Sequence, residues 1–169
     1  LTRGASMKTL LVVLLTFFLL PLALAQQRGV SRQEKRVALV IGNSSYQYAP
    51  LRNPVNDSRE IASALKKVGF SVTRVENAAL RSLDKVVRRF GEQARDSDVA
   101  LFFYSGHGLQ VNGIKYLQPI GADIRREQDV QFEACNTEKV LGELEAGSHR
   151  VNIVIIDACR NNPASRSFR

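Results

Sequence analysis

Cysteine and histidine are scarce in this chain. Its 169 residues include only Cys135 and Cys159, and only His107 and His149. None of the four lies at close ligand spacing, which excludes the patterns of structural zinc sites, and no metal site is expected. Two cysteines do not make a disulfide framework, although an exported chain could pair them. A Cys135–Cys159 bridge is therefore the alternative to a free thiol at Cys159, with Cys135 a loop or packing residue. Other signatures are missing too. Gly42 stands alone after the first apolar run, so there is no phosphate-cradling loop, and a flavodoxin-like nucleotide domain finds no support. Ser105 lacks a G-x-S-x-G elbow, and no calcium-loop pattern occurs. Internal repeats are absent. Lysine and arginine outnumber acidic residues 24 to 16, but the resulting charge of +8 is dispersed. Lys85, Arg88 and Arg89 read as the solvated face of one helix, and without an aromatic-rich basic motif no nucleic-acid partner is implied.

What the chain does have begins with a leader. Met7-Lys8 precedes an apolar run from Leu10 to Leu20, then Pro21 and the small residues of Ala23-Leu24-Ala25. A positive start, a stretch short of the ~20 apolar residues of a spanning helix, and an A-x-A site describe a secretory signal peptide. Residues 1–25 are thus expected to be upstream sequence and signal, with an exported product, periplasmic or secreted, that keeps no stable membrane span. An uncleaved anchor is the alternative. Residues 26–35 read as a flexible lead-in, and 36–169 as one domain.

Strand and helix patterns alternate through that domain. Val37 to Ile41 is a short apolar run of the kind buried on both faces of a sheet. Asn56-Asp57 can cap a helix carrying Ile61, Leu65 and Val68, which Gly69 ends. Val72 to Val75 predicts a strand, and Leu80, Leu83, Val87 and Phe90 an amphipathic helix. Val99 to Tyr104 is a third strand, and Leu109–Val111 and Ile114–Leu117 flank Asn112-Gly113 as a hairpin. A helix from Thr137 leads to a fourth strand, Val151 to Ile156. The alternation implies an α/β layer fold, its mainly parallel sheet covered by helices on both faces.

Functional groups in such sheets gather beyond the carboxyl ends of the strands. Asn53 to Asp57, Ser105-Gly-His-Gly108 and Asp157-Ala-Cys-Arg160 are all expected there. A thiol becomes a strong nucleophile beside a base or cation, and an imidazole serves well, so His107 and Cys159 form a candidate pair. Glycines flanking His107 would let the backbone turn sharply, leaving the N–H of Gly108 free to join that of Cys159 as an oxyanion hole. His149 reads as a surface loop residue.

Tyr104-Ser-Gly-His-Gly108 and Asp157-Ala-Cys-Arg160 resemble the histidine and cysteine motifs of the caspase superfamily, with similarity from about Arg36 to Asn162. The acidic Asp157, two before the cysteine, is similar to metacaspases and their bacterial relatives, which cleave after Arg or Lys. The resemblance implies a three-layer caspase-like fold and a cysteine endopeptidase with His107 and Cys159 as catalytic residues and Gly108 at the oxyanion. It also implies a substrate pocket of Asp57, Ser105 and Asp157 that receives the basic side chain of a protein or peptide. Helix capping is the other reading of Asp57, and an exposed strand-end carboxylate that of Asp157. No cofactor is required by this chemistry, while calcium is possible by analogy with metacaspases. Such folds also need strands after the cysteine, so the catalytic domain is expected to be incomplete at Arg169, with a small subunit or the rest of the chain as partner. A non-proteolytic scaffold of the same fold is the rival reading, and the presence of both His107 and Cys159 counts against it.

Overall fold

The computed structural model describes residues 32–146 and 151–159, with Cys159 described by its backbone. The leader, residues 26–31 of the lead-in, His149 and 160–169 lie outside the described residues. In chain order the elements are β1 (Arg36–Gly42), α1 (Pro54–Lys67), β2 (Phe70–Glu76), α2 (Leu80–Arg95), β3 (Val99–Val111) and β4 (Ile114–Leu117). A 3-10 turn (Glu127–Asp129) then leads to α3 (Val130–Glu133), β5 (Cys135–Asn136), α4 (Thr137–Glu145) and β6 (Val151–Cys159).

β1 is apolar from Val37 to Ile41, as suits an inner strand of the sheet. It pairs in parallel with β2 on one side and β3 on the other, and β3 pairs in parallel with β6. Val37, Leu39 and Ile41 face Leu83, Val87 and Phe90 of α2 and Val140 and Leu144 of α4. Ala38 and Val40 face the opposite side, where Ile61, Ala62 and Leu65 of α1 pack. The result is a mixed α/β layer fold, a central sheet flanked by helices and parallel at its centre. Beyond the parallel part, the tail of β3 from Gly108 to Val111 pairs antiparallel with β4, and β4 with β5. Asn112 and Gly113 close the anticipated hairpin at φ 50° and 83°, the left-handed pair that a type I′ turn demands.

Several elements differ from expectation. α1 starts at Pro54, not at Asn56-Asp57, because proline's fixed φ and missing N–H suit the first helical position. Asp57 therefore lies inside the first turn and caps nothing. Val68 leaves the apolar stripe to become the C-cap, 55% exposed. β3 runs on through Ser105-Gly-His-Gly108, and β6 through Asp157 to Cys159, so both motifs are strand rather than the loops after strands. β5 is two residues long, too short to leave a periodic signal, and its Asn136 caps α4 by accepting the Glu138 N–H at 2.8 Å. No helix among the described residues is long and apolar enough to cross a membrane.

Candidate active site

The carboxyl end of β1 decides where the site lies. Gly42 is its last residue and the register partner of Ser105, and α1 begins hard against it. A Cβ on Gly42 would sit 2.3 Å from the Pro54 carbonyl oxygen and 2.6 Å from Ser58 Oγ. Only glycine lets the start of α1 approach this closely. Asp57, one turn into the helix, is thereby brought to the buried Ser105, whose Oγ donates to Asp57 Oδ2 at 3.5 Å.

Across the sheet, Ser105 is the register partner of Asp157, and His107 that of Cys159. Neighbouring strands lie about 4.8 Å apart, so the backbones of His107 and Cys159 are as close as two chains in a sheet allow. Strand alternation carries Ser105, His107 and Asp157 onto the α1 side, with Leu101 and Phe103. Asp57 and Ser105 are thus joined directly and Asp157 is adjacent by register, its side chain exposed. Gly108 is buried at the point where β3 passes from β6 to β4.

His107 is held at its ring. Nε2 lies 2.7 Å from the carbonyl oxygen of Ala49, which can only accept, so the ring proton sits on Nε2 and Nδ1 is the basic nitrogen. The Ala49 carbonyl is aimed by a loop with its own ties. Ala49 sits at φ 55°, and the Ser44 carbonyl accepts the N–H groups of Tyr46 and Leu51. Asn77 Oδ1 accepts those of Ser44 and Ser45. Asn43, fully buried, bonds Ala78 through both ends of its amide. The Tyr46 ring lies against the imidazole, centroids 4.3 Å apart at 52°.

One sequence expectation about His107 fails. Gly106 and Gly108 do not turn the chain, since the glycines at positive φ among the described residues are Gly69, Gly113 and Gly121. Gly106 is small for another reason: a Cβ there would lie 2.6 Å from Tyr46 Oη and 2.7 Å from Tyr104 Oη. Tyr46, Ala49 and Asn43 were not singled out from sequence. A tyrosine and an asparagine in a polar loop carry no mark of burial, and a backbone carbonyl carries none at all.

Cys135 is a free, buried thiol that burial pushes up to about 11, and it packs in the core under α2 and α4. Among the described residues no three His, Cys, Asp or Glu side chains gather as a metal site. Elsewhere on the surface, Asp123 and Asp129 are engaged by Arg125 and Arg126.

A family profile described as the caspase domain, peptidase C14, matches residues 35–169. The chain belongs to this caspase-domain family, whose members are cysteine proteases. It is 26% identical over 136 residues to the mouse homolog of mucosa-associated lymphoid tissue lymphoma translocation protein 1, covering 80% of this chain and 16% of that protein. The human protein of that name is 27% identical over 126 residues, covering 74% and 15%. Two solved structures share the fold at a TM-score of 0.58. The Drosophila initiator caspase Dronc is 11% identical, covering 73% of this chain and 50% of its own. A Geobacter sulfurreducens protein is 22% identical, covering 74% and 50%. The chain thus spans about a sixth of the length of the curated relatives it matches.

Proposed function

We propose that the chain is the catalytic portion of an exported cysteine endopeptidase that cleaves proteins or peptides after Arg or Lys. The observation that carries this reading is the register of β3 and β6, which sets His107 opposite Cys159. With Nε2–H committed to Ala49, Nδ1 is the atom available to exchange a proton. The Cys159 thiol gives its proton to Nδ1, and the thiolate attacks the scissile carbonyl carbon while the C=O π pair moves to oxygen. The N–H groups of Gly108 and Cys159 hold that oxyanion. Collapse of the intermediate breaks the C–N bond, and the departing amine takes the proton from Nδ1. Water then cleaves the thioester, delivering its proton through the same nitrogen and restoring the thiol.

Specificity for a basic side chain is supported by the carboxylates of Asp57 and Asp157 on either side of Ser105. A hydrogen bond to a charged group contributes roughly 1.5–3 kcal/mol. Removing the exposed Asp157 carboxylate should therefore lower kcat/KM on Arg substrates by roughly tenfold, the weaker end of that range.

The test uses the complete protein and matched peptides ending in Arg, Lys, Asp or Leu before the reporter, with wild type, Cys159→Ala and Asp157→Ala. Near-normal turnover by Cys159→Ala would refute the mechanism. A wild-type preference for Asp, or an unchanged Arg preference in Asp157→Ala, would refute the pocket.

A further inference from the structure

A strand's hydrogen-bonding groups alternate between its two edges, so β3 presents Ser105 and His107 to the same side. Ser105 still meets β1: its carbonyl accepts the Asn43 N–H at 2.9 Å. Two residues later β1 has ended, and His107 faces a gap in the sheet at the position where its backbone must be fixed. Two phenols and the main chain just past β4 fill that gap. The His107 N–H donates to Tyr46 Oη at 2.9 Å. The His107 carbonyl accepts the Gln118 N–H at 3.0 Å and lies 2.9 Å from Tyr104 Oη. The hydroxyls are 3.1 Å apart, and each also reaches the Gln118 carbonyl, at 3.1 Å from Tyr46 and 2.8 Å from Tyr104.

The protons can be counted. Tyr46 accepts from the backbone and donates to Tyr104 or to the Gln118 carbonyl, and Tyr104 donates to one of the two carbonyls. No donor is left over. Gly106 has no side chain because one would strike both hydroxyls.

We infer that Tyr46 and Tyr104 are positioning residues that replace the missing strand and hold His107, backbone and ring, in register with Cys159. The inference rests on the cysteine–histidine reading for its catalytic consequence, though not for its geometry. Tyr46 acts twice, through its hydroxyl on the main chain and through its ring against the imidazole.

The experiment takes the complete protein with Tyr46→Phe, which keeps the ring and deletes the hydroxyl, and with Tyr104→Phe as the second variant. The first readout needs no turnover: the long-range proton–nitrogen spectrum of the His107 imidazole reports its tautomer. Wild type is expected as the Nε2–H form and Tyr46→Phe as a mixture. In the second readout, kcat should fall roughly ten- to a hundredfold while KM stays within about twofold, the pattern of lost orientation rather than lost binding. An unchanged tautomer in both variants, or a kcat within about twofold of wild type, overturns the inference. A perturbed tautomer in a protein that cleaves no peptide upholds the positioning role and refutes the peptidase reading instead.

Discussion

Under the proposed mechanism, Cys135 and Cys159 are the same residue type under opposite demands. A nucleophile needs its thiolate within reach at working pH, whereas the Cys135 thiol is pushed up to about 11 from an ordinary value of 9.0 by burial. The fold therefore binds the Cys135 proton more tightly than the unfolded chain does. The associated stability is complete below about pH 9 and is lost as pH rises toward 11, a loss on the order of 2–3 kcal/mol. Tyr46 and Tyr104, phenols that burial also raises, add to the decline above pH 10. Urea midpoints measured from pH 8 to 11 should fall in wild type, and Cys135→Ala should flatten the part between about 9 and 10. A wild-type midpoint that holds steady across this range would mean the thiol is wetter than its 1% exposure indicates.

Much of each element was legible in the sequence, its ends less so. A continuous apolar run located β1, apolar periodicity located α2, and the Asn112-Gly113 turn located the hairpin. The extensions of β3 and β6 through their motifs were hidden, since glycine, serine and histidine do not advertise strand. Backbone pairing with neighbours distant in sequence kept those residues extended. Likewise Pro54 outweighed Asn56-Asp57 as the start of α1, moving Asp57 from cap to first turn. That placement depends on the bare Cα of Gly42. Gly42→Ala would push Pro54 and Ser58 away from β1, costing about 1–3 kcal/mol as an overpacked contact and separating Asp57 from Ser105. The urea midpoint should drop, and discrimination of Arg over Leu peptides should weaken with it. Retention of both would show that α1 can be displaced without consequence.

At the scale of the whole molecule, the family and the layered fold were readable from two short motifs and the alternation around them. The means of holding His107 was not, because it consists of a main-chain carbonyl and two hydroxyls drawn from the loop after β1 and from β3 itself. Export is a proposal carried by the Met7 to Ala25 pattern alone. Expressed from its complete reading frame in a bacterium with both membranes, the product should begin at Gln26 when its N-terminus is sequenced. Recovery of cytoplasmic protein that still carries Met7 would exclude cleavage.

The pairing of β3 with β6 also bears on timing. His107 and Cys159 are brought together by strands separated by the hairpin, β5 and α4, and contacts across such a separation must overcome loop closure before they are rewarded. While a ribosome is still extending the chain toward residue 151, β1, β2 and β3 can already be present, yet the imidazole has no thiol beside it. On the proposed cysteine–histidine mechanism, the nascent chain lacks its reactive pair until β6 arrives.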